Sequence, residues 1–185
     1  GTVGEPIDEE SWKWYFKMIG TNRCPIIDTW WQTETGGTLI NTLPGIGPFI
    51  PTISGKSFPG IKHLIVDKKG KNVQKGFLVQ ASPFAPGMLH GVFNNNKKYR
   101  DTYWKNFKNR YDTSDGAYFV NGLIKITGRT DDVMKVAGHR LSTAELENAF
   151  HDNKKVGDVA VVPMPDKIKG DVPVAFIVLK KGKPK

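Results

Sequence analysis

Asp28-Thr-Trp-Trp-Gln-Thr-Glu-Thr-Gly-Gly37 (DTWWQTETGG) is the stretch on which the reading of this chain turns. Cys24-Pro-Ile-Ile-Asp28 before it reads as a short buried strand that runs into the polar loop 32–37. Two threonine hydroxyls, one carboxylate and paired glycines in such a loop suit a polyphosphate. The glycines let backbone N–H groups come close, the hydroxyls donate, and Glu34 can hold magnesium. The same composition also makes an ordinary polar turn with a glycine stop, and composition leaves both readings open.

Upstream of this loop, residues 8–19 have helical periodicity. Asp8 is placed to cap, Glu9 and Glu10 suit the positive helix end, and Trp12, Tyr15, Phe16 and Ile19 form one stripe ahead of Gly20. Downstream, residues 43–60 are rich in Gly and Pro and read as loop. Strands are expected at 62–66 and 76–80 around a turn at Asp67–Gly70. Two further extended pieces, 117–120 and 123–127, flank Asn121-Gly122, the preferred dipeptide of a type I′ hairpin. Ser142-Thr-Ala-Glu145 is a capping box that predicts a helix through about Phe150, followed by strands at 158–163 and 172–179. The expected class is a mixed α/β (α+β) chain: a β-rich subdomain in the middle, then a small α/β unit from about Asp131.

The chain has 185 residues, 38% hydrophobic and 24% charged, with a net charge of +9. No apolar run approaches the roughly 20 residues needed to cross a bilayer, so no membrane partner is expected. The single cysteine, Cys24, excludes an internal disulfide and a four-thiolate zinc site. It is read as a buried thiol in a reducing, cytoplasmic setting. The positive charge is dispersed, and its densest patch, 96–110, interleaves aromatics with bases. A surface helix burying Tyr99, Tyr103 and Phe107 accounts for that patch, and no nucleic-acid partner is expected.

Two more segments carry chemistry. Tyr111-Asp-Thr-Ser-Asp-Gly116 reads as a tight turn in which one aspartate could grip a vicinal diol. Gly128-Arg-Thr-Asp-Asp132 sets a permanently charged bidentate donor beside a candidate hinge. Taken together and in order, Gly4-Glu-Pro6, DTWWQTETGG, the 111–117 turn and ITGRTDDVMKVAGHRLSTAELE (126–147) resemble the AMP-forming acyl-CoA synthetase, or adenylate-forming, family. The similarity is strongest to its acetyl-CoA synthetase branch, and it runs from Gly1 to about Leu179.

The resemblance implies that residues 1–130 are the C-terminal part of a large AMP-binding domain and 131–185 the start of a small mobile domain, with Asp131 as hinge. It implies an enzyme that converts acetate and ATP to acetyl-AMP and pyrophosphate, then passes the acetyl group to CoA with release of AMP. Gly4, Glu5 and Pro6 would line the adenine site. Asp28, Thr29, Trp30, Trp31, Gln32 and Thr33 would contribute to the nucleotide pocket, with Thr33 and Glu34 catalytic and Glu34 facing Mg2+. Asp115 would hold the ribose, Arg129 the ribose and phosphate, and Arg140 the nucleotide or CoA phosphate. Ala137 and Gly138 would meet CoA. His151, Asn153 and Val156 match ion-holding positions of some relatives. Trp31 would close the acyl pocket and select acetate.

The chain departs from the family pattern in two places: Ser114 stands in the usual Thr-Gly-Asp, and Ala137 where serine is common. The family's lysine-ended phosphate loop and its late Ser-Gly-Lys lysine are not in the sequence, so the chain by itself is expected to lack adenylation activity. Propionyl-CoA or another short-chain acyl-CoA synthetase, and a non-catalytic nucleotide-binding module, are the alternative readings. Oligomeric state is not legible in the sequence.

Overall fold

The computed structural model describes residues 1–185 apart from Glu5, Asp131, Asp132, Ala137, Gly138, Asp152, Lys167, Lys169 and residues 181–185. It divides into two compact units, 1–126 and 127–185. The first unit opens with α1 (Glu9–Met18), where the Asp8 carboxylate accepts the Ser11 N–H at 2.9 Å. That bond satisfies one of the donors a helix start leaves over. Trp12 is buried and stacks on Phe16 with ring centroids 5.4 Å apart. Ile19, expected on the same stripe, is exposed because the helix has already ended and the chain turns through Gly20.

Two further expectations fail nearby. Cys24 is exposed rather than buried, since it follows the left-handed residues Thr21 and Asn22 on the outside of that turn. Residues 24–28 form no strand, and Pro25 has no N–H to offer a ladder. A single parallel bridge, Thr2 to Asp28, holds the segment instead.

Two sheets build the rest of this unit. The first has the order β1 (Trp30–Gln32), β2 (Gly37–Asn41), β3 (Lys56–Ser57), all antiparallel. The second has the order β4 (Lys62–Val66), β5 (Lys75–Ala81), β6 (Arg110–Val120), β7 (Leu123–Arg129), the last three residues of β7 being counted with the second unit. After β4, Asp67 Oδ1 accepts the N–H groups of Lys69 and Lys71 at 2.8 and 2.9 Å, which shapes the expected turn. Asn121 and Gly122, with φ of 50° and 76°, make the expected tight hairpin between β6 and β7.

Trp30, Leu39 and Ile40 of the first sheet and Ile65, Leu78, Ala117, Ile124 and Ile126 of the second bury one another in a shared core. On the far face of the second sheet, Val66 and Val79 pack under Phe107. Phe107 lies beyond α2 (Asn96–Tyr103), which is shorter than the expected 96–110 helix and is capped by the Asn95 side chain. The tight turn expected at 111–116 is instead the first half of β6.

In the second unit, β8 (Val133–Val136) and β9 (His139–Ser142) form a hairpin ladder, and α3 (Thr143–His151) follows where the capping box placed it. β10 (Val156–Asp166) and β11 (Gly170–Leu179) make a long antiparallel ribbon, giving the sheet order β10-β11-β8-β9. Met134, Val156, Val159 and Val161 form its core, with Leu146 and Phe150 of α3 against them. Glu147 ties helix to sheet by accepting the Val161 N–H at 2.7 Å.

The two sheets of the first unit are stitched at Gly55. Its carbonyl accepts the Ile124 N–H at 2.7 Å, and its own N–H donates to the Ile124 carbonyl at 3.3 Å. Its φ is 113°, and a Cβ there would lie 2.5 Å from the Asn41 carbonyl. Backbone cannot yield as a side chain does, so Gly55→Ala is expected to lower the free energy of unfolding by at least about 2 kcal/mol, measured by urea denaturation.

Candidate functional site

DTWWQTETGG forms β1, a turn and the start of β2. Strand alternation sends Trp30 into the core and leaves Trp31 46% exposed on the other side. Thr33–Thr35 is a single 3-10 turn. Its shape comes from Thr35, whose buried hydroxyl accepts the Gln32 N–H at 2.9 Å and donates toward the Gln32 and Gly37 carbonyls, each at 2.8 Å. Gly36 closes it at φ 69°, packed so tightly that a Cβ would stand 2.2 Å from the Gly87 carbonyl oxygen. The turn leaves Thr33 exposed and Glu34 half-buried.

Asp115 reaches this turn because β6 is bulged. Phe77 of β5 pairs with Gly116 and Val79 with Asp112, so Leu78 alone faces Thr113, Ser114 and Asp115. The Thr113 hydroxyl donates to the Leu78 carbonyl at 2.8 Å and accepts the Asp115 N–H at 3.1 Å; the Ser114 N–H donates to Asp112 Oδ1 at 2.9 Å. Ser114 takes φ 57°, the left-handed region in which glycine carries no penalty. Bulges re-aim side chains beside sites, and this one turns the buried Asp115 carboxylate toward β1. Asp115 Oδ2 accepts the Trp30 indole N–H at 3.0 Å and the Gln32 amide at 2.9 Å. The same amide nitrogen donates to the Thr113 carbonyl at 2.7 Å, and Gln32 Oε1 accepts the Tyr111 hydroxyl at 2.9 Å.

Asp28 and Thr29 are tied to the N-terminal segment. Thr29 donates its N–H and its hydroxyl to the Thr2 carbonyl at 3.1 and 2.7 Å, and the Thr2 hydroxyl donates to Asp28 Oδ1 at 3.0 Å. This brings the segment bearing Gly4 and Pro6, both exposed, next to the motif. Asp28 Oδ2 is buried without a partner among the described residues, and burial pushes its pKa up to about 6.

Other expected residues stand elsewhere. Arg129 is exposed at the end of β7, in the second unit. His151 ends α3, Asn153 takes the Lys155 N–H on its side chain at 3.0 Å, and the Val156 side chain is core. Glu5, Asp131, Ala137, Gly138 and the side chain of Arg140 lie outside what the structure describes. Among the described residues, no group of three or more His, Cys, Asp or Glu side chains could hold a metal ion unaided. No helix among them is long and apolar enough to cross a membrane.

Several residues around the motif were not singled out from the sequence. Tyr111 and Tyr103 were read as turn and packing residues, yet Tyr103 donates its hydroxyl to Glu34 Oε1 at 2.6 Å. His63 is set edge-on against Trp30 with ring centroids 5.3 Å apart, and its Nδ1 is 2.9 Å from the Ser57 hydroxyl. Only the tyrosine spacing on α2 could have hinted at the first contact; nothing local marks the second.

Burial pushes the His63 pKa down to about 4, from 6.5. The stability it confers is fully present above pH 6.5 and is lost as pH falls through 4. Asp28 has the opposite sign: its folded pKa of about 6 exceeds 3.8, so its contribution is present below pH 3.8 and lost as pH rises through 6. Each effect spans up to about 3 kcal/mol, and between pH 4 and 6 they oppose each other. Relative to the parent chain, Asp28→Asn is therefore expected to lose stability on acidification from pH 6 to 4. His63→Leu is expected to gain it over the same interval. Urea midpoints measured across that range check both.

Comparison with known proteins places the chain among relatives. The family model described as AMP-binding enzyme matches residues 1–89, and that described as AMP-binding enzyme C-terminal domain matches residues 145–185. The chain is 47% identical to an acetyl-coenzyme A synthetase of Chlorobaculum tepidum, over 98% of the chain and 28% of the relative. It is 45% identical to one of Leptospira biflexa, over 98% of the chain and 29% of the relative. It is 44% identical to one of Pyrobaculum arsenaticum, over 98% of the chain and 28% of the relative. The chain thus spans less than a third of the length of the curated relatives it matches. Two stretches of the chain thus match AMP-binding enzyme models, and a likeness of 44–47% identity to acetyl-coenzyme A synthetases extends over 98% of it.

Proposed function

We propose that this chain is a section of a longer ATP-dependent synthetase that activates acetate as acetyl-AMP, releases pyrophosphate and transfers the acetyl group to CoA. The observation that carries the reading is the convergence of Trp30 and Gln32 on Asp115, which joins the two motifs of the nucleotide pocket through one carboxylate oxygen. Asp115 would hold the ribose hydroxyls from its buried seat. Gln32 and Thr33 would meet the α-phosphate, and Gly4, Glu5 and Pro6 the adenine. Arg129 and Arg140 would supply positive charge from beyond the first unit, with Asp131 as the hinge between residues 1–130 and 131–185. Ala137 and Gly138 would meet CoA, and His151, Asn153 and Val156 would hold an ion.

A carboxylate is a poor acyl donor, and the work left to the protein is to orient it and to stabilise charge that grows at phosphorus. Glu34 suits a magnesium ion that arrives with ATP, since Mg2+ is commonly bound by one or two carboxylates plus substrate phosphates. Its Oε2 accepts no hydrogen bond among the described residues, while Oε1 is already oriented by Tyr103. The ion supplies charge neutralisation when bound. Thr33 and Gln32 would hold the α-phosphate of the transferred adenylyl group in line. Trp31, outward on β1, would close a pocket that fits a two-carbon acid.

The experiment is acetate-dependent pyrophosphate release. It is expected from the full-length protein and not from the 185-residue chain alone. Release by the chain alone would overturn the fragment reading. A full-length protein that prefers propionate, or one that binds ATP without turning over any acid, would replace the acetate reading with one of its alternatives. In the full-length protein, Trp31→Gly is expected to lower the acetate-to-hexanoate ratio of kcat/KM by about tenfold or more.

A further inference from the structure

We propose that Tyr103 is a positioning residue for Glu34 and, through it, for the divalent cation that accompanies ATP; this rests on the function proposed above. Glu34 sits in the middle of a three-residue turn, half-exposed, on a side chain with three rotatable bonds. Left alone, its carboxylate would sample many positions. The 2.6 Å contact from the Tyr103 hydroxyl has the length of a charge-assisted O–H···O bond.

Tyr103 is itself held. Its ring stacks on Tyr111 with centroids 5.5 Å apart and planes 18° apart, and the Tyr111 hydroxyl donates to Gln32 at 2.9 Å. Trp104 sets its edge against Tyr111 at 5.9 Å, and Tyr99 packs against Tyr103 at 5.9 Å. The backbone is gripped from the same side. The Glu34 carbonyl accepts the Leu89 N–H at 2.7 Å, and the Leu89 carbonyl accepts the Tyr99 hydroxyl at 2.8 Å. Both ends of Glu34 therefore depend on α2.

That helix has no fully buried residue, so core packing does not explain its place. Its aromatic side chains attach it to the motif. Carboxylates that bind metals are commonly hydrogen-bonded in turn, and loss of that partner costs roughly 10–100-fold in metal affinity.

The test is a double-mutant cycle on the full-length protein, with Mn2+ as the probe. Free Mn2+ is read by electron paramagnetic resonance at saturating ATP. Tyr103→Phe keeps the ring stack and removes only the hydroxyl. It is expected to raise the apparent Kd for Mn2+ about tenfold or more. Glu34→Gln is expected to raise it as well. Because the glutamine oxygen can still accept the tyrosine hydroxyl but carries no charge, adding Tyr103→Phe to Glu34→Gln is expected to change Mn2+ binding no further. A tyrosine that merely anchored the helix would give additive losses, and that result would overturn the proposal. An unchanged Mn2+ Kd in Tyr103→Phe, with a raised one in Glu34→Gln, would overturn the role of Tyr103 alone. An unchanged Kd in Glu34→Gln would remove the metal reading of that residue, and the tyrosine's role with it.

Discussion

The buried Asp115 Oδ2 receives the Trp30 indole N–H and the Gln32 amide at once. A buried carboxylate is costly unless its charge is met by donors, and both donors come from one short strand. The requirement propagates outward. To face β1, Asp115 needs the bulge in β6; the bulge needs Thr113 to hold Leu78 and Ser114 to take a left-handed backbone. To present two donors, β1 must set Trp30 inward, which fixes Trp31 outward and places Gln32 at the mouth of the turn. Remove the carboxylate, and the Trp30 indole N–H and the Gln32 amide lose their shared acceptor.

A second layer, aromatic and polar, backs the first. Tyr111 reaches Gln32, Tyr103 stacks on Tyr111 and reaches Glu34, and Trp104 and Tyr99 brace both tyrosines. Rings lose little freedom when they are packed and carry a polar tip, which suits them to holding polar side chains at a half-exposed edge. The site is thus rigid behind Gln32 and Asp115 and more open at Thr33 and Trp31.

What could be read from the sequence was local. The Asp8 cap, the Asp67 turn, the Asn121-Gly122 hairpin and the helix after Ser142 each depend on residues within a few positions, and each stands where it was expected. The 111–116 segment misled because Asp, Thr, Ser and Gly in a row favour a turn, whereas pairing with β5 absorbs the surplus residues as a bulge. Cys24 and Ile19 misled because apolar character says nothing about which side of a turn faces out. The central contact, Gln32 to Asp115, joins residues 83 apart, and Tyr103 to Glu34 joins residues 69 apart. No periodicity encodes such pairs. Likeness to a family suggested that Gln32 and Asp115 belong to one site, and nothing in it pointed to Tyr103.

Between about pH 4 and 6, two buried groups flank this arrangement with their charges suppressed: Asp28 retains its proton and His63 declines one. When the chain opens in mildly acidic water, the carboxylic acid gives up its proton while the imidazole takes one. From these two sites, unfolding amounts to handing a proton from one side chain to another through solvent, with almost none exchanged with the buffer. The heat that these two groups add on melting there should carry little signature of the buffer chosen, because one supplies the acid and the other the base.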